Sequence, residues 1–166
     1  MDSEVIFPMK ALTVFLCLLL SIAIAFGAWF YITGTLDAQV SRVSAQASEY
    51  PEAFDSIRSV LQSGGAQAIY SIGDTLENAA DYTLMDINIQ LTNRSLFDAE
   101  WLNIELAPID GDVALYSLTG ACTDVPAKGM QSVNLKLVTR AGADSVHTAT
   151  IQYYVFGISR SIQIQF

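Results

Sequence analysis

Met85-Asp86-Ile87-Asn88-Ile89-Gln90-Leu91-Thr92 is the stretch whose reading decides the fold. A polar residue follows every large apolar one. Successive side chains of a strand point to opposite faces, so the octet predicts a strand with one buried face and one wet face. The same period recurs downstream: Leu102, Ile104 and Leu106 alternate with Trp101, Asn103 and Glu105. Val133, Leu135 and Leu137 alternate with Asn134 and Lys136. Ala149, Ile151, Tyr153 and Val155 face away from Thr148, Thr150 and Gln152, and Ile162, Ile164 and Phe166 face away from Ser161, Gln163 and Gln165. Val113–Leu115 adds a sixth segment, and Asp110-Gly111, Lys128-Gly129 and Ala141-Gly142 supply turns between them. One apolar face per strand predicts antiparallel sheets packed face to face over residues 82–166, a β-sandwich of immunoglobulin-like type.

Upstream of Tyr82 the period changes. Leu36, Val40, Val43, Ala47, Tyr50, Phe54, Ile57 and Leu61 are spaced alternately four and three apart, a heptad stripe. This predicts an amphipathic helical stalk or hairpin over 34–81, kinked at Pro51 or restarted there with acids in its first turn. Ser63-Gly64-Gly65 closes that helix, and Ala68, Ile69, Ile72, Leu76 and Ala79 predict a shorter one. The stripe either docks on the chain's own β domain or joins copies of the chain, with Val40, Val43, Tyr50, Phe54, Ile57 and Leu61 carrying the self-association. The expected class is α+β.

Before the stalk, Ala11 to Ile32 runs without charge or proline. A helix of about 20 such residues crosses a bilayer, so 11–33 is expected to be a transmembrane signal-anchor and the lipid bilayer a partner. Ala23-Ile24-Ala25 offers the competing reading of a cleaved signal peptide. Against it, the apolar run continues into Trp29, Phe30 and Tyr31, an aromatic group of the kind that anchors a helix at the membrane interface. Lys10 precedes the span and Asp37 follows it before the first base, Arg42. That asymmetry places residues 1–10 in the cytoplasm and the body on the extracytoplasmic side of the cell membrane. A net charge of −9 with eight Lys and Arg argues against nucleic acid as a partner. Cys17 lies in the apolar span and Cys122 in a polar segment, so no disulfide between them is expected.

Ile87-Asn88-Ile89-Gln90-Leu91-Thr92-Asn93, followed by Arg94-Ser95-Leu96-Phe97 and the strand Glu100 to Leu106, resembles the first half of a late-embryogenesis-abundant type 2 (WHy) domain. Leu115-Tyr116-Ser117-Leu118-Thr119-Gly120 and the turn Val125-Pro126-Ala127-Lys128-Gly129 extend the likeness. Asn93-Arg94 stands where that family usually has Asn-Pro, and the same residues also fit a more generic immunoglobulin-like domain on a single membrane helix. The resemblance implies a membrane-tethered sandwich of about seven strands without catalysis.

Chemistry-bearing residues are sparse. His147 is the only histidine, and its strand parity suits a core or strand-end position. Asp110-Gly111-Asp112 with Asp124 lacks the spacing of a calcium loop and is expected to be an acidic turn. No cofactor or metal is implied. Asn93-Arg94-Ser95 makes Asn93 a candidate N-glycosylation acceptor. The functional expectation is a non-enzymatic, single-pass envelope protein whose outward sandwich contacts another envelope protein or its own copies as a homo-oligomer. The alternative is a pilin-like, archaellum or secretion-machine subunit whose N-terminal helix packs in a filament.

Overall fold

The computed structural model of the chain describes residues 3–63, 68–71, 73–117, 124–143 and 146–166. Helix α1 spans Ser3–Thr33. Its segment Lys10–Phe30 has a mean hydropathy of 2.5 and is 0% buried. At 1.5 Å per residue those 21 residues extend about 31 Å, the thickness of a bilayer's hydrocarbon core. This helix is long and apolar enough to cross a membrane.

Strand β1 (Leu36–Gln46) follows after two residues. The stalk expected over 34–81 does not form. Leu36, Ala38 and Val40 also have a period of two, and β1 pairs antiparallel with β3 (Tyr82–Asn93) from Leu36↔Asn93 to Gln46↔Thr83 without a register shift. Eleven residues of ladder and a shared apolar face outweigh the local heptad period, because in proteins packing rather than propensity decides such segments. A 3₁₀ turn at Ala47–Glu49 then leads to α2 (Pro51–Ser63), which starts with proline in the first turn, where its missing N–H costs nothing. Gly64 and Gly65 lie outside the described residues. The second expected helix is also replaced: β2 (Ala68–Ser71) is a short strand, Gly73 and Leu76 take positive φ (74° and 51°), and a 3₁₀ turn spans Ala79–Asp81.

The remaining strands are β4 (Ala99–Leu106), β5 (Asp112–Ser117), β6 (Met130–Arg140), β7 (Thr148–Val155) and β8 (Ile158–Gln165). All pairings are antiparallel. They form a five-stranded sheet in the order β1-β3-β6-β5-β2 and a three-stranded sheet in the order β4-β7-β8. The six segments legible by alternation are therefore strands, and β1 makes the sheet-forming body begin at Leu36 rather than Tyr82.

One buried cluster joins the two sheets: Ile87, Ile89 and Leu91 of β3 and Leu135 and Leu137 of β6 share it with Leu102 of β4 and Ile151 and Tyr153 of β7. A second cluster lies on the opposite face of the five-stranded sheet. There Phe54 and Ile57 of α2 pack on Tyr82, Val113, Tyr116 and Val138, and Phe54 stacks on Tyr82 at 5.6 Å. The alternate parity of Tyr82 against Ile87, and of Val138 against Leu137, creates this second face.

Truncation separates an internal from an intermolecular role for α2. Phe54→Ala is expected to lower unfolding free energy by about 3–5 kcal/mol, whereas Val43→Ala, at 71% exposure, shifts it by less than about 0.5 kcal/mol. Denaturant melts of the chain in micelles at two protein concentrations check this. A Phe54→Ala loss that grew on dilution would point to an interface between chains.

Candidate functional site

The distinctive site is the junction where α1 enters the sheets. Phe30, in the last turn of α1, packs against the inter-sheet cluster together with Phe97. Its ring meets Phe97 edge-on at 5.6 Å and Phe156 at 6.4 Å, and those two rings lie 5.3 Å apart. The Arg160 guanidinium sits 5.4 Å from the centre of the Phe30 ring and also donates to the Phe30 carbonyl at 3.5 Å. Such edge-on and cation–π contacts add about 0.5–1.5 kcal/mol each beyond burial.

The chain passes this crowd through Gly34, which is buried and whose N–H donates to the Phe30 carbonyl at 2.9 Å. A Cβ there would lie 2.9 Å from that carbonyl oxygen and 3.1 Å from the Arg160 guanidinium. Two residues later the backbone N–H of Leu36 donates to the Tyr153 hydroxyl at 3.0 Å. Tyr153 is wholly buried on β7, so this bond ties the helix exit to the opposite sheet. Burial raises the Tyr153 pKa above its ordinary value, opposed by the Leu36 N–H.

The turn after β3 completes the junction. Leu36 pairs with Asn93, which is 2% exposed. The Asn93 side-chain amide donates to the Phe97 and Val125 carbonyls at 2.8 and 3.0 Å, and its oxygen accepts from the Ser95 N–H at 3.0 Å. Asn93 is therefore an internal staple of the loop that carries Phe97. A glycan would replace one hydrogen of its amide nitrogen, so at least one donated bond would be lost and the side chain would have to leave a buried position, which the loop as folded opposes.

Of the other sequence-selected residues, Trp29 and Phe30 lie at this junction, Trp29 being 41% exposed and 5.7 Å from Phe26. The Tyr31 side chain lies outside the described residues. The self-association stripe is dispersed. Phe54 and Ile57 are buried in the chain's own second core, with Leu61 packed against it, and Val40 packs against the inter-sheet core. Val43 and Tyr50 are exposed, at 71% and 56%. Sequence reasoning missed Phe97, Tyr153, Phe156 and Arg160 as one group. One signal was available: Phe156-Gly157 is a two-residue hairpin turn, a place where Asn-Gly is usual and a bulky aromatic is not.

The opposite end of the sheets holds two polar networks. His147, just before β7, is wholly buried; its Nε2 lies 2.9 and 3.1 Å from the Asp112 carboxylate, and its ring stacks on Phe166 at 5.6 Å. Asp112 also accepts from the Ile109 N–H at 3.0 Å. Histidine with aspartate is part of a nucleophilic triad, but these side chains are sealed from solvent and work as a buried tie. Asp124 does not join them. It accepts from the Trp101 N–H at 2.9 Å beside β4, at the helix-proximal end, so the acidic set does not converge on a cation. Among the described residues no three His, Cys, Asp or Glu side chains gather for a metal.

The second network centres on Asp74, which accepts from the Tyr82 hydroxyl at 2.8 Å, the Leu76 N–H at 3.3 Å and Arg140 at 2.9 Å. The Tyr82 bond is the main reason its pKa falls below 3.8, despite opposing burial. Burial first, and the bond to Asp74 second, push Tyr82 up to about 12.

The chain matches no family model, and no curated protein matches it. Its fold is similar to a FixG-related protein from Vibrio parahaemolyticus (9% identity, 79% of this chain and 94% of that one, TM-score 0.39). It is also similar to the yeast GGA1 GAE domain (11%, 55% and 94%, TM-score 0.41) and to the structural-genomics target SoR45 (12%, 81% and 86%, TM-score 0.43). Likenesses this distant carry no functional argument.

These contacts set four expected outcomes. Tyr153→Phe strands the buried Leu36 N–H and is expected to cost about 1–3 kcal/mol in a denaturant melt. His147→Ala takes the imidazole away from the buried Asp112 carboxylate, which keeps the Ile109 N–H, and is expected to cost about 1–3 kcal/mol, whereas the exposed Val146→Ala is neutral within about 0.5 kcal/mol. Tyr82 holds its proton more tightly folded than unfolded, so its contribution is whole below pH 10 and declines as pH rises from 10 to about 12. Asp74 has the opposite sign: its contribution is whole above its unfolded value of 3.8 and is lost as pH falls through the lowered folded value. Melts from pH 2 to 12 check both limbs, and Asp74→Asn should flatten the acid one.

Proposed function

We propose that the chain is a non-enzymatic, single-pass envelope protein whose immunoglobulin-like sandwich, of the late-embryogenesis-abundant type 2 kind, is held close to the extracytoplasmic face of the cell membrane and makes protein–protein contacts there. The observation that carries the reading is the helix-to-sheet junction: an apolar helix of bilayer length runs without a linker into Phe30, Gly34 and Leu36, all fixed to the sheets. A signal peptide leaves the mature protein, and nothing in its release requires its last turn to be packed into the domain. The charge asymmetry of Lys10 before the span and Asp37 after it supports the outward orientation.

The contact surface is the free edge of β1. It is 11 residues long and at one side of its sheet, with exposed Val43 and, just beyond it, exposed Tyr50. Long edge strands offer unpaired backbone groups to a neighbouring chain, and only one charged side chain after Asp37, Arg42, interrupts this one. Crosslinking of the full chain in native membranes tests the reading. Adducts with a second copy or another envelope protein are expected, and Val43→Lys with Tyr50→Ser should diminish them at unchanged circular dichroism. Undiminished adducts would move the contact elsewhere, and extraction of the chain by alkaline carbonate would overturn the anchored reading itself. Filaments in electron micrographs would favour a pilin-like subunit instead.

A further inference from the structure

We infer that the sandwich also touches the membrane directly, through an apolar rim made by the β3–β4 loop and the β7–β8 turn that seats in the phospholipid interface. This rests on the anchored reading above and adds to it a second, non-covalent attachment. On the anchored reading the apolar run closes with Trp29, Phe30 and Tyr31, an aromatic group of the kind that sits where a spanning helix leaves the hydrocarbon, so Phe30 is placed near that level. The headgroup layer is roughly 5–7 Å deep on each side. The Phe97 and Phe156 rings lie 5.6 and 6.4 Å from the Phe30 ring, so in any direction they stay within about one headgroup depth of that level. No freedom remains to lift them out of it, because Phe30, Gly34 and Leu36 are each bonded or packed to the sheets.

The exposed residues at this end have the chemistry of that layer. Phe156 is 74% exposed, Leu96 57%, Ile158 51% and Trp29 41%. Phe156 is also conformationally costly. It takes φ 53° beside Gly157 at 74° in a two-residue turn, a left-handed position that a bulky aromatic rarely occupies. Its ring meets Phe30 and Phe97 and still leaves about three quarters of the residue open, and seating in lipid would cover that remainder. Anionic headgroups are not required: Arg94 pairs with Asp37 at 2.7 Å and Lys128 donates to the Arg94 carbonyl at 2.6 Å, so two of the nearby bases are already engaged.

The test uses the full chain, with Cys17→Ser and Cys122→Ser, in phosphatidylcholine vesicles. An environment-sensitive fluorophore is attached at Phe156→Cys, at Leu96→Cys or, at the distal end, at Val146→Cys. The rim labels are expected to be quenched by lipids carrying a shallow nitroxide, with an iodide quenching constant severalfold smaller than that of the Val146 label. Adding phosphatidylserine should leave these values unchanged. Leu96→Cys guards against loss of the Phe156 contact, because it leaves the aromatic group intact. Vesicles that float with the chain while both rim labels behave like the Val146 label would overturn the rim and leave the anchor standing. Failure of the chain to float would overturn both.

Discussion

The absence of slack between helix and strand constrains everything else in this molecule. Helix α1 ends at Thr33 and β1 begins at Leu36. The two intervening residues cannot act as a tether, since Gly34 is bonded back to Phe30 and Leu36 forward to Tyr153. A domain joined in this way inherits the orientation of its helix. The contacts that enforce the inheritance come from both sheets, Phe97 following β3 and Tyr153 and Arg160 lying on β7 and β8. Loosening either sheet would release the mount.

The two ends of the sandwich are built by different physics. Near the helix the ties are aromatic and apolar, with Asn93 securing the loop that presents Phe97. At the far end they are polar and buried: His147 with Asp112, and Asp74 with Tyr82 and Arg140. Buried polar groups that find their partners add little net energy but fix one arrangement, since any slip leaves a charge or donor unpaired. α2 covers the second face only at this end, where Phe54 stacks on Tyr82. Toward the helix the same outer face remains polar, with Asn88 donating to Asn134 at 2.6 Å and Lys136 paired to Asp86.

Much of this was legible in the residues. Alternation marked the strands wherever one face is covered and the other wet, as in the middle of β3, whereas Val113–Leu115 of β5 is buried on both faces, one against each core. Pro51 allowed either a kink or a fresh start, and α2 takes the second, since proline's missing N–H costs nothing in a helix's first turn. The stalk was misread because β1 is an edge strand with one half-covered face, and Leu36 and Val40 fit both a period of two and a heptad, whereas Val43 fits the heptad alone and faces away from the core. Only pairing with β3, more than 35 residues away in sequence, settles that choice. The stretch around Gly73 and Leu76 failed for a local reason, since both residues need positive φ and a helix has no place for it. The junction was half visible: Trp29 and Phe30 declared an interface, but Phe97, Tyr153, Phe156 and Arg160 reach it from strands distant in sequence. Asn93 fitted a surface motif, and only the loop's hydrogen bonds reveal it as buried.

A sandwich fixed to its helix behaves differently from one on a flexible stem, and a distance measurement separates them most directly. Spin labels on Phe15→Cys, within the span, and Val43→Cys, on the body, can be placed pairwise on the full chain, freed of Cys17 and Cys122, in lipid nanodiscs. Pulsed electron–electron resonance then reads their separation. A rigid mount predicts one narrow distance distribution that broadens when Phe30→Ala and Gly34→Ala are combined. A broad distribution in the unaltered junction would contradict the account, because it would mean that helix and sheets move independently.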